Sequence, residues 1–252
     1  NAVTHPHLEE KDFNREKNKV LVRLNQAKTE PDYIADIAFE YFLFGKNSPY
    51  AFPVTGVEQT VQKIQVGSIR NVYKNHFAPQ NSTMVVVGNV DQDLLQKELQ
   101  KTLGGWDNSS TSNTLLSDPI KNQKKLFLIN KSGSVQTEIR VGHLSSRRNQ
   151  NDYFQKQIVN LVLGGQFSSR LNLNLREKNG YTYGIQSQFN YLQNAGNFAV
   201  STSVDVANTA NALNEIHKEI NAIKLGITDQ ELNFAKSSLI KKYPSNFETY
   251  RQ

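Results

Sequence analysis

Residues 173–184 read LNLREKNGYTYG, and the fold turns on how this stretch is divided. A helix running from about Ser168 to Lys178 reaches Gly180, where a left-handed helix stop favours a residue without Cβ. A strand over 181–190 is expected to follow, with Tyr181 and Tyr183 on one face and Thr182 on the other. Arg176 lies in the last helical turn, near the start of that strand. A guanidinium offers five rigid donors and keeps its charge, and a phenol adds another donor. Together they can hold a peptide carbonyl or stabilise an oxyanion. Simple packing accounts for the same residues: Arg176 complements the helix dipole while the tyrosines join the core. Spacing alone favours packing and leaves both readings open.

Working outward, a helix over 152–163 ends at Gly164-Gly165. A strand over 196–206 pairs back through the turn QNAG (193–196). A long helix from Thr209 to Leu225 places Leu213, Ile216, Ile220 and Ile223 on one face. Thr228 and Glu231 stand at capping-box spacing and open the last helix. Before the arginine motif, KLFLINK (125–131) and QTEIRVGHL (136–144) read as strands joined by Ser132-Gly133-Ser134. Earlier still, helix spacing covers 9–28 and 31–45, with Pro31 suited to a first turn. A further helix spans 67–77, STMVVVGNV (82–90) reads as a buried strand, and 91–105 as an Asp-started helix. Strands mixed with long helices make the fold class α+β, a two-layer sandwich in the second segment. The boundary falls in a polar Ser/Asn/Thr/Gly-rich stretch ending in Asp-Pro, giving a first domain over 1–104, a linker over 105–125 and a second domain over 126–252.

At 252 residues the chain can bury one or two real cores. No apolar run reaches the roughly 18–20 residues of a bilayer span. The net charge of +6 is scattered among acids, as in EEKDFNREKNK (9–19), so no basic groove for nucleic acid is expected. Absence of cysteine excludes disulfides and thiolate metal sites. The chain opens on Asn1 without an initiator Met or signal peptide, which suggests a processed protein or an excised fragment. Neither H-E-x-x-H nor H-x-x-E-H occurs among the five histidines; in HPHLEEK, Lys11 stands where a second ligand belongs. G-x-S-x-G and phosphate-loop motifs are missing too, so the chain holds no self-sufficient catalytic set.

The block LGGQFSSRLNLNLREKNGYTYGIQSQF (163–189) resembles the pitrilysin/insulinase-like zinc metallopeptidases, a family that includes the mitochondrial processing peptidase. The resemblance extends to SPYAFPVTGVEQTVQKI (48–64), FAPQNSTMVVVGNVD (77–91) and TDQELNFAKSSL (228–239), in the family's order. It implies homologous α/β two-layer sandwich domains forming one half of a peptide-enclosing clamshell. The first domain would be truncated at its N-terminus and the second at its C-terminus. It implies too that this is the half without zinc ligands, which binds peptide through an arginine and a tyrosine seven residues apart: Arg176 and Tyr183, with Tyr181 beside them. The family's third zinc ligand falls on Asn14 in FNREK (13–17), and a neutral amide is a poor ligand. Zinc is therefore expected in a partner half, fused or separate, with peptide as substrate. Two alternatives accompany this reading: a non-enzymatic assembly subunit like the family's respiratory core proteins, and an active zinc half whose catalytic helix precedes residue 1. Compartment is open; bacterial relatives are often exported, which slightly favours the periplasm or another exported location.

Overall fold

The helical periodicities become helices almost where the spacing places them. The structure, a computed structural model, describes residues 3–107 and 124–248. The helices are α1 (Glu10–Ala27), α2 (Pro31–Phe44), the single turn α3 (Glu58–Val61), α4 (Val66–His76), α5 (Gln92–Leu103), α6 (Tyr153–Leu163), α7 (Thr209–Ile223) and α8 (Asp229–Lys242). Pro31 occupies the first turn of α2, where its missing N–H costs nothing. Asp91 caps α5 by accepting from the Leu94 N–H at 2.9 Å. The Thr228–Glu231 capping box starts α8. Among the described residues, no helix is long and apolar enough to cross a membrane.

The chain divides into two compact units. One comprises, as far as described, residues 1–26, 54–115 and 247–252. Within it, Lys17 Nζ donates to the carbonyls of Gln62 (2.8 Å) and Ile64 (2.7 Å), and the Tyr73 hydroxyl donates to those of Val3 and Thr4. The expected strand over 82–90 does not form here. Met84 to Val87 are 44–80% exposed and have no ladder partner among the described residues. β-branched residues favour extended backbone, but a strand is fixed only by pairing and burial.

The second unit comprises, as far as described, residues 27–53 and 116–246. Its sheet is antiparallel in the order β1-β3-β2, with β1 at Gln136–Ser145, β2 at Ile185–Tyr191 and β3 at Gly196–Asp205. Thr202 of the central β3 lies opposite both Ile139 and Ile185, which fixes the faces. One face gathers Ile139, Ile185, Phe198, Val200 and Val204 against Leu163 of α6, Leu171, Leu175, and Ala212 and Ile216 of α7. Leu213, Ile220 and Ile223 flank this core, as the 3.6-residue period predicts. Each large apolar side chain so buried contributes about 1.5–3 kcal/mol.

Two expectations are corrected in this unit. Residues 125–131 are not a strand: Leu126 and Leu128 stay exposed, while Phe127 stacks on Phe42 of α2 with ring centres 3.8 Å apart. Residues 27–53, with α2, pack with the second segment, across the expected division into 1–104 and 126–252. Arg140 of β1 pairs with Asp36 of α2, and a Cβ on Gly142 would lie 2.7 Å from Phe39. Since Gly142 alternates with the core residues Ile139 and Val141, α2 covers the opposite face of β1, adding a third layer to the expected two. Most of the expected linker (108–123) lies outside the described residues.

Candidate functional site

The outer edge of β2 is where the glycine–serine–arginine block does its structural work. Gly164 follows α6 and passes so close to β2 that its carbonyl accepts the Ser187 N–H at 3.0 Å. A Cβ on Gly164 would sit 2.6 Å from Ser187 Oγ and 2.9 Å from Leu171 Cδ1, so only glycine fits without displacement. Ser187 Oγ in turn donates to Asn160 Oδ1 at 2.8 Å. One rung further, the buried Asn172 side chain donates to the Ile185 carbonyl (2.7 Å) and accepts the Ile185 N–H (3.2 Å). A carboxamide carries the same donor–acceptor pair as a peptide unit, so Asn172 acts as a one-residue strand partner. The β2 edge is thereby sealed at residues 185 and 187 against strand addition.

The expected helix over 168–178 is wound differently from an α-helix: Asn172–Lys178 form a π-helix. The Asn179 N–H reaches back five residues to the Asn174 carbonyl at 3.1 Å, and the Tyr181 N–H six residues to Leu175 at 2.8 Å. Gly180 closes the element at φ +64°, in the left-handed region predicted for it. Leu171 and Leu175 are fully buried on one side. Arg176, next in sequence, turns away from them and lays its guanidinium over the Phe167 ring, 4.3 Å from the centroid. Its other ionic contact is a 3.6 Å approach to the neighbouring Glu177, too long and exposed to hold it strongly.

Beyond Gly180 the chain does not enter a strand until Ile185, which corrects the expected start at 181. Thr182 is the reason. Its hydroxyl bonds to both the N–H and the carbonyl of Gly184 (3.1 and 2.9 Å), and Thr202 Oγ1 donates to that same carbonyl. These side-chain bonds make a turn in place of a ladder. The two tyrosines are consequently separated. Tyr181 packs against the hydrophobic core, whereas Tyr183 projects outward, 93% exposed. Tyr181 is thus removed from the expected ligand-facing set.

Arg176 and Tyr183 line one open cleft of about 700 Å³, together with Phe167. Gln186 and Gln188 of β2 and Ser201 and Ser203 of β3 contribute the polar side of the sheet, opposite the core. At the far side Arg140 is neutralised by Asp36 and Glu138, the latter 3.0 Å away. Arg176 is therefore the cation most free to meet a ligand, amid uncharged amides and hydroxyls. An arginine stacked on an aromatic face keeps its in-plane N–H groups available for carbonyls or carboxylates. Phe167 was not among the site residues expected from the sequence. Its signal would have been an aromatic standing nine residues before the arginine.

The described residues do not offer a set that fits a zinc site. Asn14 is an exposed amide on α1, and its neighbour Glu16 is engaged by Lys19 and Arg15, whose hydrogen bonds lower its pKa. Among the described residues, no group of three His, Cys, Asp or Glu side chains gathers as a metal-binding set.

Residues 63–239 match the sequence profile described as "Peptidase M16 inactive domain". Among curated relatives, "Uncharacterized zinc protease YmxG" of Bacillus subtilis is 24% identical over 237 residues, covering 93% of this chain and 56% of the relative. "Non-peptidase homolog YmxG" of Helicobacter pylori is 25% identical over 255 residues, covering 97% and 56%. The crystal structure of a peptidase M16 inactive domain from Pseudomonas fluorescens superposes with a TM-score of 0.86 at 23% identity, over 94% of this chain and 57% of that one. The chain spans about half the length of these relatives, and the structural likeness speaks to fold.

Proposed function

Because this chain belongs to the Peptidase M16 inactive-domain family, we propose that its cleft binds an extended peptide and positions it for hydrolysis by a zinc-bearing partner half. In this proposal the chain belongs to the zinc-free half, built of homologous α/β sandwiches, with α2 packed on the sheet that carries the cleft. The observation that carries the binding role is the placement of Arg176: stacked on Phe167, it shares one cleft with the protruding Tyr183. Arg176 donates to a peptide carbonyl and Tyr183 supplies a second donor, fixing the backbone for attack elsewhere. Because the β2 edge is sealed by Asn172 and Gly164, the peptide is held there by side chains, with Gln186 and Gln188 as adaptable partners, and not by an added strand.

The test uses fluorescein-labelled β-casein as the probe, in anisotropy titrations of the full-length protein. Arg176→Ala is expected to weaken binding about tenfold, the loss of one charge-assisted hydrogen bond, with little change in melting temperature. Arg176→Lys restores only part of it, lacking the planar fork. Equal affinity for the parent and Arg176→Ala proteins overturns the proposal. It would then favour an assembly role without peptide binding, to which the name of the Helicobacter relative, a non-peptidase homolog, lends support.

A further inference from the structure

The π-helix puts one more residue into each turn than an α-helix. Rewinding it as α would swing Arg176 by about 100°, the rotation of one helical residue. Something must hold the wider winding, and the side chains around Asn174 do so. Asn174 is buried, and its Nδ2 donates to Glu215 Oε2 at 2.7 Å and to Glu219 Oε1 at 2.6 Å, two carboxylates one turn apart on α7. Carboxylates only accept, so the amide must present its NH₂ to them and its oxygen the other way. That oxygen, and the Asn174 carbonyl, both accept from Asn179 Nδ2 (2.7 and 3.0 Å). The Asn179 N–H closes the five-residue turn on the same carbonyl. A clamp from α7 through Asn174 to Asn179 therefore encloses Arg176 within the loop it ties.

We propose that Asn174 is a positioning residue: anchored by Glu215 and Glu219, it holds the π-turn that aims Arg176 across Phe167 into the cleft. The consequence for ligand binding rests on the peptide-binding role proposed above, whereas the geometry of the clamp does not. Two readouts keep them apart. With arginine-selective ¹⁵N labelling of the full-length protein, the Arg176 Nε–H signal, displaced by the Phe167 ring current, reports the side chain's position. It is assigned by its loss in Arg176→Ala. Anisotropy with fluorescein-labelled β-casein reports binding.

Asn174→Ala is expected to move the Arg176 signal out of its ring-shifted position and to weaken binding about tenfold, as Arg176→Ala does. Glu215→Ala combined with Glu219→Ala cuts the anchor from α7 without touching the π-helix, and it should give the same two effects even if Asn174→Ala fails to fold. Asn174→Asp combined with Glu215→Gln and Glu219→Gln exchanges donors and acceptors across the contact and should restore both. An unmoved Arg176 signal in the anchor-cutting variant overturns the clamp. A moved signal with unchanged affinity, while Arg176→Ala still loses binding, overturns the positioning role. Unchanged affinity in Arg176→Ala itself overturns the peptide-binding role and leaves the clamp to be judged by the signal alone.

Discussion

Arg170, in the middle of the S-S-R-L run, faces away from the cleft, and its removal should leave a stability loss that fades with acid. Its Nε and Nη2 meet the two oxygens of Glu231 at 2.6 and 2.8 Å, and Nη2 donates to the Gly226 carbonyl at 3.2 Å. The side chains are only 20% and 28% exposed. Glu231 is at the same time the third residue of the α8 capping box with Thr228. Its carboxyl is lowered from 4.5 to about 2, first by the Arg170 hydrogen bond, against burial, with Thr228 adding to the effect. At ~1.36 kcal/mol per decade that displacement sets a ceiling of about 3.4 kcal/mol. Thr228 owns part of it and solvent screens part, so Arg170→Ala should cost about 2 kcal/mol at pH 7. The folded-state pKa is depressed, so the contribution is present above the unfolded value and lost as pH falls from 4.5 toward 2. At pH 3 the linkage leaves about two-fifths of it, and the gap between parent and variant should shrink below about 1 kcal/mol. Urea unfolding followed by circular dichroism measures this. The fluorescence of Trp106 does not, since that residue belongs to the other unit. A gap that stays constant from pH 7 to pH 3, or is under ~0.5 kcal/mol at pH 7, refutes the ion-pair reasoning.

Two further substitutions probe the sealed edge. Gly164→Ala drives a Cβ to 2.6 Å from Ser187 Oγ and should cost about 1–3 kcal/mol through overpacking; an unchanged melting temperature would show that the 163–165 loop simply yields. Asn172→Leu keeps the branched outline, with bulkier methyl ends, but strips the Ile185 N–H and carbonyl of their partner. A loss of about 2–3 kcal/mol and faster amide exchange at Ile185 are expected, and a still-protected Ile185 amide would rule out the side-chain rung.

Elements whose stabilising partners lie nearby in sequence were legible before the structure. Leu213, Ile216, Ile220 and Ile223 mark the core face of α7 by period alone, and Thr228 with Glu231 marks the start of α8 to the residue. Elements whose fate depends on a distant partner were not. Met84–Val87 and Leu126–Ile129 have the composition of strands, but composition specifies a conformation and not an edge to pair with. The affiliation of α2 hangs on Arg140 meeting Asp36 across 104 residues, which no local pattern announces.

The arginine motif shows the same division at finer scale. Gly180 could be read because a left-handed stop has one cheap residue. The alternation expected for Tyr181-Thr182-Tyr183 failed because a threonine hydroxyl replaced a ladder bond, sending one tyrosine inward and the other out. The winding of 172–178 failed to show because leucines at 171 and 175 suit an α-helix equally well; the asparagines between and beyond them decide it by what they touch. Much of the block's specificity is thus architectural. Gly164 and Asn172 close the sheet edge, Arg170 ties down α8, and Asn174 sets the turn. Only Phe167, Arg176 and Tyr183 of the block offer an aromatic face, a guanidinium and a phenol to the cleft. A motif built this way keeps most of its residues whether or not a peptide is bound, because the fold needs them. Activity must then be read from the three side chains that the fold can spare, which is why substitution at Arg176, with the fold left intact, separates a peptide-binding half from an assembly subunit.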